Sequence, residues 1–395
     1  MAGRRSRLWR LLGAATALSL GAALTLPVSA TAEAKRGALS VRGADISFTQ
    51  LAESMGLEYR DADGHVRRIE TILASNGATH VRLRVWTDPP DGYSDLQSAL
   101  EMAKRARRVG MKVLLDLHYS DFWADPSKQP TPAAWAGQDL ATLAQTVHDY
   151  TRDTVAAFAK QGTPVDMVQV GNEVTSGMLF PFGQLYPPSG PQGWPGFTTL
   201  LKAGIAGVHD GAPRAHDPKI VIHIDRGGDN GGSVWFYDHM AAWGVDFDII
   251  GLSYYPIWHG SLASMQFNLN DLAVRYGKDI ALVETAYPFT AENGDALGNF
   301  FPSSDPASMP DLATYPATQA GQAAFFEALR AILLAVPDGH GLGFFDWEPG
   351  LLPGIPWAPG ELGTPNDNLS MFDFHGNALP SLRAFRKPGG EINKP

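Results

Sequence analysis

Two glutamates in this sequence each end a short apolar run, and their type and position could support acid–base chemistry. Glu173 follows the run Val168–Asn172, and Glu284 follows Ile280–Val283. Short apolar runs are typical of buried strands, so both glutamates are expected at strand ends. Two carboxyl groups that face each other can cleave a glycosidic bond, one as the acid and the other as nucleophile or base.

The elements that must position this pair alternate between strand-like runs and longer helical patterns. This alternation predicts an α/β fold, a single-domain (β/α)8 TIM barrel with long loops at its C-terminal face. An open doubly wound sheet is the alternative, which the lack of a glycine-rich phosphate loop after the first strand disfavours. The predicted strands are Val41–Ser47, Thr79–Trp86, Lys112–His118, Met167–Gly171, Ile220–Asp225, Phe247–Tyr255, Ile280–Thr285 and Leu342–Trp347. The predicted helices are His65–Ser75, Ser94–Val109, Leu140–Lys160, Phe197–His209, Val234–Ala242, Leu262–Tyr276 and Thr318–Val336.

The carboxyl ends of the strands carry most of the candidate chemistry. In a barrel these ends open on one face, where barrel enzymes hold their active sites. Glu173 and Glu284 end the fourth and seventh predicted strands, so they should face each other across that opening. Polar or aromatic residues stand at the other ends: Asp45, Arg82, Arg84, Trp86, Asp116, His118, Asn172, Asp225, Tyr255, Trp347 and Glu348.

The first 32 residues have the layout of a secretory signal peptide. Four arginines precede the apolar stretch Leu11–Leu26, and small residues suited to cleavage follow it. A retained membrane anchor is the alternative. We therefore expect a secreted protein with a signal peptide at 1–32, a catalytic domain at 38–388 and a C-terminal tail at 389–395.

Charge and cysteine content narrow the function classes. Removal of residues 1–32 takes away four arginines and no acidic residue, which moves the formal charge from −10 to −14. Such an acidic protein is a poor partner for nucleic acid or an anionic membrane, whereas a neutral polysaccharide would not be repelled. There is no cysteine, so disulfides, thiol nucleophiles and cysteine-based zinc sites are excluded. A monomer is expected.

Several stretches resemble glycoside hydrolase family 53, the arabinogalactan endo-β-1,4-galactanases of a large clan of retaining barrel enzymes. The similarity runs from about Gly43 to about Phe385, and its most specific motif is the His-Tyr-Ser-Asp-x-Trp-Ala-Asp-Pro stretch at His118–Pro126. The other matching stretches are Arg42–Ser47, Val81–Trp86, Gly171–Glu173, Ser253–Pro256 and Val283–Tyr287.

The resemblance implies a role for each residue that matches the family pattern. It implies that Glu173 is the acid/base and Glu284 the nucleophile, and that Asn172 binds the sugar 2-hydroxyl. Tyr255 would hold the nucleophile in place, and Arg82 would keep it ionised. It further implies that His118 completes the charge network and that Trp347 forms the floor beneath the sugar. Further candidates for substrate contact are Trp86, Trp123, Trp135, Trp258, Trp357 and Asp225.

The resemblance also implies a structural calcium ion between the seventh and eighth loops, and no organic cofactor. Asp295, Asn299 and Asp367 are the candidate oxygen ligands, because calcium takes six to eight oxygens. Leu297 stands where the family pattern has a histidine ligand, so this chain departs from that pattern. A polar turn without metal is the alternative.

Three functions stay open on the residues alone. The first is an endo-acting retaining hydrolase of β-1,4-galactan or type I arabinogalactan, which the His118–Pro126 motif favours. The second is another retaining β-glycanase of the same barrel clan, a mannanase or a glucanase. The third is an inactive carbohydrate-binding barrel, which the presence of both glutamates beside Asn172 disfavours.

Overall fold

Eight apolar runs form the strands of a closed parallel barrel. The computed structural model describes residues 37–186, 193–301 and 309–387. Each strand pairs in parallel with the strands before and after it in sequence, and the last strand pairs with the first. The strands are β1 (Val41–Asp45), β2 (His80–Val85), β3 (Lys112–Leu117), β4 (Met167–Val170), β5 (Lys219–Ile224), β6 (Ile249–Tyr254), β7 (Asp279–Thr285) and β8 (Gly341–Asp346). The predicted (β/α)8 barrel is confirmed, and every predicted strand matches an observed one within two residues.

The barrel has two apolar layers because successive side chains of a strand point to opposite faces. Side chains from the inner face fill the barrel, while those from the outer face pack against the helices. The packed interior closes the barrel beneath the opening at the carboxyl ends of the strands. We call this opening the mouth. The inner layer contains Val41, Leu114, Met167, Val221, Ile249, Ala281, Val283 and Phe345.

The helices surround the barrel in the predicted order. Several begin at a side chain that accepts a hydrogen bond from the first turn, as Asp139 does from the Thr142 N–H, and such caps satisfy otherwise unpaired N–H groups. Gly77, Gly110 and Gly277 follow helices and have positive φ, as expected of helix C-caps. The helices are α1 (Thr49–Ser54), α2 (Ile69–Ser75), α3 (Leu96–Arg108), α4 (Leu140–Lys160), α5 (Gly193–Gly211), α6 (Asn230–Ala242), α7 (Pro256–His259), α8 (Leu262–Tyr276) and α9 (Gln319–Ala335).

The structure departs from the sequence prediction before α2. The helix predicted to begin at His65 begins at Ile69, because Val66–Arg67 instead pairs with Tyr59–Arg60 in a short antiparallel hairpin. The short helices α1 and α7 were not predicted, since each spans six residues or fewer and has too little length for an apolar period.

The described residues, which all lie within Gly37–Pro395, form one compact unit. The predicted signal peptide at 1–32 and the predicted tail at 389–395 lie outside the described residues, so both stay predictions, as do the domain bounds 38–388. Among the helices of the described residues, none is long and apolar enough to cross a membrane.

Candidate active site

The mouth of the barrel holds an open cleft of about 410 Å³. That volume lies in the range typical of sites that bind small ligands or segments of a polymer. Both candidate glutamates line it, together with residues from most of the strand ends and the long loops. The lining residues are His118, Trp123, Ala124, Asp125, Pro126, Lys128, Asn172, Glu173, Asp225, Tyr255, Trp258, His259, Glu284, Phe300, Trp347, Trp357 and Asn366.

Glu173 reaches the cleft through an unusual turn after β4. Gly171 has φ 84°, and a Cβ at this position would lie 2.6 Å from the Val174 side chain. Glu173 itself has φ 46° and ψ 52°, in the left-handed region that non-glycine residues rarely occupy. The three residues Val174–Ser176 then form a single 3-10 turn. The backbone conformation of Glu173 is therefore strained, and its surroundings must hold it.

Glu284 lies on the opposite side of the mouth, near the end of β7. The pairing of β6 with β7 shifts register between Leu252 and Ser253, which places Glu284 beside Ser253. The Tyr255 hydroxyl donates a hydrogen bond of 2.9 Å to Glu284 Oε2. Arg82 lies 2.8 Å from Glu284 Oε1. Both carboxyl oxygens of Glu284 thus have a fixed partner.

Arg82 is a fully buried cation that links several strand ends. Besides Glu284, it lies 2.6 Å from Asp45 and 2.8 Å from Asp116. It also donates to Asn172 Oδ1 over 2.9 Å. A buried guanidinium needs such partners, because its charge would otherwise be costly to remove from water. As predicted, Arg82 contacts Glu284, but it does so from beneath the cleft and does not line it.

The two glutamates differ in the charges that surround them. Burial, with the negative charges of Glu284 and Asp225, holds the pKa of Glu173 well above its usual range. Burial, with the negative charges of Asp116 and Asp45, raises the pKa of Glu284 to about 7, although the positive charge of Arg82 and the hydrogen bond from Tyr255 oppose that rise. Glu284 is therefore the first of the pair to ionise, while Glu173 keeps its proton.

Asn172 and His118 also lie at the cleft, where the sequence placed them. The Asn172 amide donates to the Ala124 carbonyl over 2.9 Å, and its Oδ1 accepts from Arg82. His118 Nε2 lies 2.9 Å from Asp116, and the Trp86 indole donates to His118 Nδ1 over 3.3 Å. Burial lowers the pKa of His118, which keeps the ring neutral.

Aromatic rings form the walls of the cleft on the side of the third and eighth loops. Trp123 and Trp357 stack with centroids 4.6 Å apart, and Trp347 lies 6.0 Å from Trp123. Trp258 is about half exposed and packs edge-on against Phe300. Flat apolar rings of this kind can pack against the faces of pyranose sugars.

Two predicted sugar contacts need correction. Trp86 is buried behind the cleft wall, where its ring lies 4.9 Å from Trp123 and 4.7 Å from the Arg84 guanidinium. Trp135 is buried too, and its ring packs against Tyr150 and Tyr119. Neither side chain lines the cleft. A tryptophan near a strand end indicates proximity to the mouth but not which way the ring turns.

Three polar residues at the site escaped the sequence analysis. Ser253 donates a hydrogen bond of 2.6 Å to Glu173 Oε1, and His223 lies 2.8 Å from the same serine. Gln169 bridges Asp116 and His223 over 2.6 and 3.0 Å. Each is fully buried within a strand. A polar residue inside an otherwise apolar barrel strand is the signal that could have revealed them.

The candidate calcium ligands come together, but they bind one another and the backbone. Asp295 accepts from the N–H groups of Gly354 and Thr364 over 2.9 Å each, and its other oxygen accepts from the Leu297 N–H. Asn299 turns its amide nitrogen toward Asp367, at 2.7 Å.

Every carboxylate oxygen of Asp295 and Asp367 thus already accepts an N–H bond, since Asp367 also accepts from Gly294. Of these three side chains, only Asn299 has a buried oxygen, Oδ1, without a hydrogen-bond partner, so as they stand they do not supply a shell of six to eight oxygens. The calcium site stays a prediction from the family resemblance.

Sequence and structure comparisons agree on the relatives of this chain. The sequence model described as Glycosyl hydrolase family 53 matches residues 41–385. The chain is 43% identical over 354 residues to an uncharacterized protein in the bgaB 5′ region of Niallia circulans. This match covers 88% of this chain and 93% of that protein. It is 38% identical over 318 residues to arabinogalactan endo-β-1,4-galactanase A of Aspergillus niger, with 79% and 85% covered.

Solved structures give the same relationship. The GH53 catalytic domain of Ignisphaera aggregans matches with a TM-score of 0.81 and 37% identity, over 88% of this chain and 95% of that one. A structure from a study of two fungal β-1,4-galactanases matches with a TM-score of 0.76 and 34% identity, over 88% and 99%. With its barrel, its two facing glutamates and these relatives, the chain belongs to glycosyl hydrolase family 53.

Proposed function

We propose that this protein is an endo-acting hydrolase of β-1,4-galactosidic bonds in galactan and type I arabinogalactan, which retains the anomeric configuration. The observation that carries the proposal is the unequal pair of glutamates at the cleft. Glu284 lies 2.8 Å from the buried Arg82, whereas Glu173 has a neutral serine at 2.6 Å. One carboxylate and one carboxylic acid are what a retaining glycosidase needs in its resting state.

In the first step, Glu284 attacks the anomeric carbon of the sugar and forms a covalent glycosyl ester. The glycosidic oxygen leaves with the proton of Glu173, so the acid becomes a carboxylate. Formation of the ester removes the negative charge of Glu284, so Glu173 no longer faces a full negative charge across the cleft. Its pKa therefore falls at the moment when it must act as a base.

In the second step, Glu173 removes a proton from a water molecule that attacks the same carbon. Cleavage of the ester releases Glu284 and gives a product with the β configuration of the substrate. The Tyr255 hydroxyl and the Arg82 guanidinium hold the Glu284 carboxylate in one orientation during both steps. Fixed partners of this kind require no reorganisation at the transition state.

Substrate contacts are assigned to the residues that line the cleft. Asn172 holds the 2-hydroxyl of the sugar beside Glu284, and Trp347 forms the floor beneath that sugar. Trp123, Trp258 and Asp225 extend the site along the cleft. The open shape of the cleft supports attack within a chain, because a polymer can enter without a free end.

The choice of galactan rests on the relatives. The Aspergillus niger protein at 38% identity is named an arabinogalactan endo-β-1,4-galactanase, and the chain covers 85% of it. The motif at His118–Pro126 agrees with that choice. The acidic composition and the signal-like first 32 residues support secretion, a monomer, and a partner set limited to neutral polysaccharide.

Reducing ends released from potato galactan, arabinogalactan, mannan and β-glucan test the substrate. We expect release from galactan and arabinogalactan, with short oligosaccharides of several lengths at early times. Activity on mannan or β-glucan without activity on galactan would point to another glycanase of the same clan. Binding to galactan without any release would instead indicate an inactive carbohydrate-binding barrel.

A further inference from the structure

A closed ring of hydrogen bonds joins the backbone of Glu173 to its own carboxyl group. The Glu173 N–H donates to His223 Nδ1 over 3.3 Å. On the other side of the imidazole ring, His223 Nε2 lies 2.8 Å from Ser253 Oγ. Ser253 in turn donates to Glu173 Oε1 over 2.6 Å, which closes the ring. His223 and Ser253 are both fully buried.

The directions of these bonds follow from the groups that can only donate. His223 Nδ1 faces the Glu173 backbone N–H and, at 3.0 Å, the amide nitrogen of Gln169. Asn172 Oδ1 is also 3.1 Å away, but it already accepts from Arg82. Nδ1 is therefore the acceptor, and the ring proton lies on Nε2. Burial lowers the pKa of His223 well below its usual range, so the ring stays neutral.

A neutral His223 with its proton on Nε2 donates to Ser253, which leaves the serine proton for Glu173. Ser253 thus acts as a donor toward Oε1 whether Glu173 is protonated or not. An oxygen that accepts a short hydrogen bond is a poor place for the acid proton. Among the residues that the structure describes, no donor reaches Oε2.

We propose that His223 and Ser253 are positioning residues that keep the acid proton of Glu173 on Oε2, the carboxyl oxygen left free for the glycosidic oxygen. This inference rests on the proposed role of Glu173 as the acid/base. The ring also holds the strained left-handed backbone of Glu173, since one of its bonds begins at that backbone. It therefore fixes both the conformation of the acid and the oxygen that carries the proton.

The surroundings of Glu173 determine how removal of Ser253 acts. Ser253 supplies a hydrogen bond to the ionised form, so its loss should raise the pKa of Glu173 further. Other charged or titratable groups around the acid stay in place in that variant. They are Glu284 and Tyr255 across the cleft, Asp225 and His223 from the end of β5, His259 at the end of α7, and Asp125 and Lys128 from the loop after β3.

The test is Ser253→Ala, assayed on galactan and on a nitrophenyl β-1,4-galactobioside. The basic limb of the pH profile of kcat/KM reports the pKa of the acid in the free enzyme. In Ser253→Ala this limb should move to higher pH by about one unit. On galactan, kcat should fall about tenfold, because the poor leaving group needs a well-placed proton. The nitrophenyl leaving group needs little protonation, so formation of the glycosyl-enzyme from it should fall less than twofold.

Two variants separate positioning from general damage. Ser253→Thr restores a hydroxyl and should return the basic limb toward its original position. Ser381→Ala removes a buried serine hydroxyl that has no protein partner, and it should leave the pH profile unchanged. Equal losses on both substrates with an unmoved basic limb would overturn the proposal, because a purely structural serine would give that result.

Glu173→Gln distinguishes failure of this inference from failure of the proposed function. If Glu173→Gln abolishes galactan turnover while Ser253→Ala leaves the basic limb in place, the positioning role is wrong and the acid role stands. If Glu173→Gln keeps most of its galactan turnover, the acid role itself is wrong. For glycosyl-enzyme formation from the nitrophenyl substrate, a pH shift caused by Ser253→Ala that persists in the Glu173→Gln background would also overturn the positioning role.

Discussion

Arg82 Nη2 lies 2.8 Å from Glu284 Oε1, and neither side chain has more than a small fraction exposed. The same guanidinium contacts Asp45 and Asp116, so one cation offsets three carboxyl groups at the base of the cleft. The positive charge of Arg82 opposes the rise in the pKa of Glu284 that burial and the Asp116 and Asp45 carboxylates cause, so Glu284 ionises more readily than it would without Arg82. The proposed attack by Glu284 depends on this contact.

Replacing Arg82 by methionine should move the acidic limb of kcat/KM to higher pH. Glu284 must be ionised to attack, and loss of the neighbouring positive charge raises its pKa. We expect kcat to fall at least ~100-fold and stability to fall by about 3–5 kcal/mol, since buried carboxylates lose their partner. pH–rate profiles and denaturant unfolding measure the two effects.

Arg105→Met is the matched control for that change. Arg105 is also buried, with Glu70 at 2.8 Å and the partly exposed Glu53 at 2.6 Å, but it lies on α3 away from the cleft. The Arg105→Met variant should be less stable than the wild type, but the acidic limb of its kcat/KM profile should stay in place. If both variants left that limb unmoved, Arg82 would be a structural residue alone.

Trp258→Ala should weaken substrate binding with little effect on folding. The ring is 53% exposed and lines the cleft, so its loss removes a stacking surface and creates no buried cavity. A loss of about 0.5–1.5 kcal/mol would raise KM for galactan roughly 3- to 10-fold, with kcat nearly unchanged. Trp243→Ala, which removes a ring 40% exposed outside the cleft, should leave KM as it was. Equal KM values for both variants would exclude a sugar contact at Trp258.

Asp346→Asn should increase stability at neutral pH. Both carboxyl oxygens of Asp346 are buried without a protein partner, and burial holds its pKa well above the usual range. The folded protein therefore keeps a proton that the unfolded chain releases above about pH 4. Wild-type stability should fall relative to the variant by up to ~1.4 kcal/mol per pH unit as pH rises from there toward the folded pKa.

Urea unfolding at pH 4, 6 and 8 measures this difference for Asp346→Asn. Asp338→Asn replaces an exposed carboxyl group and should follow the wild-type curve at each pH. A difference between wild type and Asp346→Asn that does not change with pH would mean that Asp346 is ionised in the folded protein.

Removal of divalent ions should leave the melting temperature unchanged. The loops that carry Asp295 and Asp367 are joined by direct hydrogen bonds, several of them from backbone N–H groups. Thermal unfolding with EDTA and with added calcium tests this, and Asp295→Ala should lower the melting temperature in both conditions. A clear loss of stability with EDTA, reversed by calcium, would restore the ion implied by the family resemblance.

The sequence predicted the barrel because eight apolar runs and their helices repeat a pattern that few other folds share. It also placed Glu173 and Glu284 at the mouth, since the carboxyl end of a strand fixes where the next residue lies. The position of a residue after a strand does not determine the direction in which its side chain points. Trp86 and Trp135 lie near the mouth but turn into packed rings, and only the tertiary structure decides that.

The sequence did not reveal His223 and Ser253, which contact Glu173 and not the substrate. His223 and Ser253 stand inside strands and show no spacing that marks them as polar partners of Glu173. Their role arises from the β6–β7 register shift and from the left-handed turn at Glu173. Neither feature has a clear signature in a single sequence.

Covalent trapping tests the central claim, that Glu284 is the nucleophile, most directly. A 2-deoxy-2-fluoro β-galactobiosyl fluoride should form a stable glycosyl ester, because the fluorine at C2 slows both steps, whereas the fluoride leaving group speeds the first step alone. Mass spectrometry of the digested protein should find the added glycosyl mass on the peptide that contains Glu284. A label on Glu173, or hydrolysis of galactan to products of inverted configuration without any label, would contradict the account.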